Sequence, residues 1–241
     1  MIYRIQLIVI VFFITSTVFA QSQIKMELQQ IRNNFIKKDQ LSMVVNYDMY
    51  ANDTSQVIIE SQQTKIHRQG NNQIVDFMGT PTCYTDEYTI SIYKSEKKVV
   101  LGDAIVGFEN MILPDITLDS LVNIFDIDKV VSETPPAITY HIQIPNTIIS
   151  PYRAIEIKVN DDNLYEKIIL RCRYPLNYYG KCSDCENDIP RVELTFDYSV
   201  NQNELLSELN ELLSCIEEND NQYYLSGVYS QYKIINLKKV H

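Results

Sequence analysis

The chain has no tryptophan, six glycines, three histidines and five cysteines in 241 residues. Each scarcity narrows the function. With so few glycines there is no Gly-rich loop to cradle a phosphate. His67, His141 and His241 are scattered, and no nucleophile elbow accompanies them, so nothing points to a Ser/His/Asp hydrolase. Cysteine is sparse and odd in number, at Cys83, Cys172, Cys182, Cys185 and Cys215, so at least one thiol is left over from any pairing. Positive charge is also short. The formal net charge is −10, and an acidic body repels phosphate backbones, which argues against a nucleic-acid partner. Beyond the first twenty residues no apolar run approaches the roughly 20 residues a membrane span needs.

What is present starts at the N-terminus. Arg4 precedes an apolar run from Leu7 to Ile14, and Val18 and Ala20 stand before Gln21 as small or tolerated residues stand before a signal-peptidase cut. This predicts a leader over 1–20, cleaved after Ala20, and an exported mature chain. Export means periplasmic in a Gram-negative bacterium and secreted otherwise. Gln21 occupies the position where a lipid-anchored protein would carry Cys, so no stable membrane anchor is expected.

The mature chain predicts one α+β domain over 21–241. Ile24, Leu28, Ile31 and Phe35 make one stripe at helical spacing over 22–39. The period then switches to two. Leu41, Met43, Val45, Tyr47 and Met49 alternate with more polar residues, and further strands follow at 56–65, 73–78, 82–86, 88–94 and 97–102. Leu118, Leu121, Val122 and Phe125 suggest a short helix at 117–126. Alternation resumes through Ile138 to Ile144, Ile155 to Val159, Ile168 to Cys172 and Val192 to Val200, with a hairpin turn at 160–163. Leu205, Leu209, Leu212, Leu213 and Ile216 predict a helix at 203–217, and the Tyr-rich end from Tyr223 to Lys239 a final strand.

Cys182-Ser-Asp-Cys185 is the sharpest local motif. A redox CxxC normally opens a helix in a βαβ fold, and a zinc site needs four ligands. This one falls in a loop between strands, with only Cys172 near in sequence. A local disulfide fits better, either Cys182 to Cys185 or one of them to Cys172. The acidic clusters Asp126-Ile-Asp128, Asp161-Asp162 and Glu217-Glu-Asn-Asp220 lack the spacing and central Gly of a calcium loop and read as solvated turns and helix ends. No catalytic residue, metal or cofactor is expected, and the chain reads as a non-enzyme.

Three segments carry a family resemblance. These are helix 22–39 running into Leu41-Ser-Met-Val-Val-Asn-Tyr47, the stretch from Glu87 to Leu101, and the strand-turn-strand from Tyr152 to Leu170. Together with the leader and the interrupted meander, this order resembles the LolA-like family of periplasmic outer-membrane lipoprotein carriers, over most of 22–200. The tail beyond Val200 departs from that pattern. The resemblance implies a strongly curved antiparallel sheet, an unclosed half-barrel, covered by the N-terminal helix and a short lid helix. It also implies an apolar cavity for acyl chains, with a lipid or acylated protein as partner. Met43, Tyr47, Met49, Ile90, Ile92, Ile155, Ile157, Leu194 and Phe196 are the candidate lining. A docking platform for another protein, without lipid cargo, is the alternative, and a CxxC redox protein a third.

Overall fold

The computed structural model describes residues 23–105, 126–133, 136–175, 189–200, 202–219 and 222–238. The predicted leader and the CxxC therefore lie outside the described residues, as does the predicted helix 117–126 except for Asp126. Among the described residues no helix is long and apolar enough to cross a membrane. The fold is α+β: a large unclosed sheet, mainly antiparallel, with two α-helices among the described residues, one of them N-terminal. The chain divides into two compact units, each taken by itself below.

The first unit comprises residues up to Lys37, Ala51–Ser55 and Asp115–Val192. Helix α1 covers 23–37. Leu28, Ile31 and Phe35 are buried, as their spacing predicts, whereas Met26 on the other side is exposed. Strands β7 (Asp126–Glu133), β8 (Pro136–Gln143), β9 (Tyr152–Val159) and β10 (Tyr165–Cys172) pair in sequence order, all antiparallel. Directly opposed residues share a face. One face carries the rows Ile127–Ile142–Ile155–Leu170 and Lys129–Tyr140–Ile157–Ile168. Helix α1 lies against that face. The Phe35 ring meets Tyr165 edge-on with centroids 5.3 Å apart, and Glu27 accepts hydrogen bonds from Lys129 Nζ at 2.7 Å and the Tyr140 hydroxyl at 3.0 Å. The predicted turn at 160–163 is built on Asn160, whose Oδ1 accepts from the N–H groups of Asp162 and Leu164, with Asn163 in the left-handed region.

The second unit comprises Lys38–Tyr50, Gln56–Pro114 and Glu193–His241. Strands β1 (Gln40–Tyr50), β2 (Ile58–Gln69), β3 (Asn72–Phe77), β4 (Thr80–Tyr84), β5 (Tyr88–Tyr93) and β6 (Lys98–Asp103) form an antiparallel meander with each strand beside the next. Strand β11 (Arg191–Asp197) opens at the boundary of the two units and is buried at Val192, Leu194 and Phe196. Helix α2 (Gln202–Leu213) is followed by a hairpin of β12 (Ile216–Asn219) and β13 (Gln222–Leu225), then β14 (Lys233–Asn236).

Two expectations are corrected here. The predicted helix 203–217 ends at Leu213, and the acidic residues Glu217 and Glu218 sit in strand β12 rather than in a helix end. Asp126 and Asp128, read as a solvated turn, open strand β7. The expected final strand is present as β14, which joins β6 in parallel, Ile234 opposite Val99 and Ile235 opposite Val100.

Candidate functional site

Register decides which candidates share a face. Across β1 to β6 one row runs Ser42–His67–Ile74–Cys83–Ile90–Leu101. The next row runs Met43–Ile66–Val75–Thr82–Ser91–Val100 and points to the other face. Ile90 and Ile92 therefore stand on one face, and Met43, Tyr47 and Met49 on the opposite one. The expectation that all of them line a single surface is corrected in this unit. Alternation along a strand assigns two faces, but only the register between strands says which faces coincide. Near β1 both faces are buried. Ser42 and Val44 on one side are as inaccessible as Met43 and Val45 on the other, and only Tyr47 among these candidates is half-buried.

Helix α2 packs on the face that carries Ile90 and Ile92. Leu209, Leu212 and Cys215 point into a buried cluster with Ile74, Cys83, Ile90, Ile92, Val99 and Leu101, closed by Tyr229 from the tail. Beside this cluster is a cavity of about 350 Å³. Its apolar wall is Ile74, Pro81 and Leu212, with Tyr229 and Tyr232 from the C-terminal segment. The two tyrosine rings meet edge-on at 5.3 Å. Asp76, Lys94 and Glu211 add charge of both signs to the lining, and Asp76 Oδ1 is buried without a hydrogen-bond partner. A concave site of this volume falls at the lower end of the roughly 300–1,000 Å³ typical of small-molecule pockets.

None of the nine sequence candidates lines this cavity. Ile90 and Ile92 belong to the packed cluster next to it. Ile155 and Ile157 lie on the first unit's buried face, beside Tyr140 and Ile142. Leu194 and Phe196 are buried on β11. The lining residues of the tail carried one usable signal in the sequence, the concentration of tyrosine after position 222. A partner surface can raise local tyrosine content as readily as a pocket wall.

The titratable groups around these surfaces are held by burial and hydrogen bonds. His67 is buried, shares a 2.6 Å hydrogen bond between Nδ1 and Ser42 Oγ, and keeps Nε2 unpartnered. Burial pushes its pKa down, so the neutral ring is favoured. Burial also pushes the Glu27 carboxyl up, but the Lys129 and Tyr140 hydrogen bonds and the Lys129 charge outweigh it, and the net shift is down. His141 stands on the polar face opposite Glu156, 3.9 Å from its carboxylate. Around Asp53 the carboxylate pairs with Arg153 and, at 3.3 Å, with Arg171, while Arg191 donates to the Asp53 carbonyl. Arg171 also donates to Glu156 from Nε at 3.0 Å. This network ties the 51–55 turn to β9, β10 and β11.

Cys172 is a buried free thiol, so it is not bridged to Cys182 or Cys185 in this structure. Its backbone N–H donates to the Pro190 carbonyl at 3.0 Å. Among the described residues no group of three or more His, Cys, Asp or Glu could hold a metal ion.

No family model and no curated protein matches the chain. Solved structures do. An uncharacterized conserved protein from Thermus thermophilus aligns at TM-score 0.40 and 8% identity, covering 87% of this chain and 98% of that one. The lipoprotein LppX of Mycobacterium tuberculosis aligns at TM-score 0.39 and 9% identity, over 75% of this chain and 98% of its own. A putative outer membrane lipoprotein-sorting protein domain from Vibrio parahaemolyticus aligns at TM-score 0.25 and 10% identity, over 76% of this chain and 96% of its own.

Proposed function

We propose that this chain is an exported carrier or binding protein that holds a lipid or an acylated partner, with the acyl chain seated in the cavity beside α2. The cavity is the observation that carries the reading. Its wall of Ile74, Pro81, Leu212, Tyr229 and Tyr232 suits an apolar chain, and Asp76, Lys94 and Glu211 suit a polar head. An acyl chain needs no directional bond, since burial alone is worth roughly 0.8 kcal/mol per methylene. Helix α2 and the tail segment around Gly227–Tyr229 form one wall of it. The tail is held beside the sheet by the ladder of β14 with β6 that follows it, Lys233 N–H donating to the Lys97 carbonyl at 2.9 Å. The predicted leader fits the same reading, because cargo that moves between membranes needs a carrier outside the cytoplasm.

The test is binding of a fluorescent fatty acid to purified protein, with and without Leu212→Trp to fill the cavity. Saturable binding that the substitution abolishes, in a variant that keeps its circular dichroism, supports the reading. Absence of saturable binding to the unaltered protein overturns it.

A further inference from the structure

The second unit buries two thiols in one place. Cys83 is fully inaccessible on β4, between Ile74 and Ile90 in the row across the sheet, and Cys215 is 2% exposed just past the end of α2. Both belong to the same core cluster, and α2 packs against β4. Cys215 is also fixed in position from outside. Its carbonyl accepts from the Ser226 N–H at 2.8 Å, and the Ser226 hydroxyl donates to the Ser214 carbonyl at 2.8 Å, so Ser226, just past β13, holds this turn through two adjacent carbonyls. Nothing among the described residues bonds either sulfur.

We infer that Cys83 and Cys215 form a structural disulfide when the protein folds in its exported compartment. In the oxidation, each thiol gives up one proton and one electron. A disulfide of an exported thiol oxidant is the acceptor. One cysteine thiolate attacks it to give a mixed disulfide and one released thiol, and the second cysteine displaces the other thiol as the Cys83–Cys215 bond forms. The oxidant thus ends as two thiols, and atoms and electrons balance. Burial raises the Cys83 thiol to about 12, with a further push from neighbouring Cys215, and burial raises Cys215 to about 11. Such thiols are poor nucleophiles once enclosed. The bond therefore forms during folding, before α2 closes over the sheet, and is afterwards out of reach of reductant. It would staple the tail, including the tyrosines of the cavity wall, to the middle of the meander.

The pairing differs from the CxxC pairing suggested by sequence spacing and is compatible with it. With Cys83 and Cys215 joined, Cys172, Cys182 and Cys185 remain, and the buried Cys172 becomes the odd thiol of the five. The inference depends on export and not on lipid cargo, so its failure and the failure of the carrier reading are separately visible.

The experiment uses the full chain, produced with its own leader in an oxidising periplasm and purified without reductant. The protein is denatured in iodoacetamide, digested without reduction and mapped by mass spectrometry. The expected result is a linked peptide pair containing Cys83 and Cys215, neither alkylated. In Cys83→Ala the Cys215 thiol becomes alkylatable, and the melting temperature of the wild type falls on prolonged reduction in denaturant and refolding while that of the variant does not. Alkylated Cys83 and Cys215 in the wild-type digest, or linkage of either to another cysteine, overturns the proposal. Refolding the reduced, purified protein in a glutathione buffer provides the second measurement. The same linkage must reappear, and its failure to do so in folded protein also counts against it.

Discussion

Phe35→Ala is the sharpest probe of how the N-terminal helix is held. The ring is fully buried on α1 and packs edge-on against Tyr165, 5.3 Å between centroids. Truncation removes the apolar area and leaves a cavity that Leu28 and Ile31, themselves buried, cannot fill without moving the helix. Phe→Ala at such sites costs about 3–5 kcal/mol. A domain has only about 5–15 kcal/mol of stability in total. At this chain length each kcal/mol corresponds to roughly 2–4 °C in melting temperature, so the expected fall is about 6–20 °C. The control is Met26→Ala on the same helix, 61% exposed, for which the change should stay within about 0.5 kcal/mol. Urea unfolding followed by circular dichroism measures both. If Phe35→Ala costs less than about 1 kcal/mol, or the two variants are alike, α1 does not pack on the β8–β10 face as described.

Three further outcomes are expected. His67 is buried with its pKa below the usual 6.5, so the unfolded chain takes up a proton before the folded one does. Its contribution to stability is intact above pH 6.5 and declines as pH falls below that value; His67→Gln should flatten this leg of a stability–pH curve. Glu27 has its pKa lowered below 4.5, so its contribution persists above that pH and is lost on further acidification; Glu27→Gln should remove this lower leg, and an unchanged curve would refute the Lys129–Tyr140 latch. Gly79 adopts φ +78° with open space around its missing side chain, so Gly79→Ala should cost about 1–2 kcal/mol from backbone strain alone. A neutral substitution in thermal denaturation would contradict that turn geometry.

Much of the fold was legible because the local signals agreed with one another. The stripe Leu28, Ile31, Phe35 is the buried face of α1, and Asn160 with Asn163 makes the expected turn. The β12–β13 hairpin was not legible, because Glu217 and Glu218 carry no apolar alternation and Leu209 to Ile216 still reads as helical spacing. The short strand is fixed instead by its partner, Tyr223 and Tyr224 opposite the two glutamates. The candidate site was only half legible. Period two named residues that are indeed inaccessible, such as Met43 and Ile90, but the register that sends them to opposite faces is a property of pairing between strands. The cavity wall draws Ile74, Leu212 and Tyr232 from segments far apart in the chain, and no spacing rule links them. The pairing of Cys83 with Cys215 was hidden for the same reason, while the CxxC drew attention through proximity alone.

The most direct measurement is mass spectrometry of the organic extract and of the native protein, purified from the exported fraction without detergent. The account predicts a stoichiometric acyl lipid that leaves the native ion on activation and is absent from Leu212→Trp. Protein that emerges at its bare polypeptide mass, with no lipid in the extract, would contradict the carrier reading and favour the sheet as a surface for another protein.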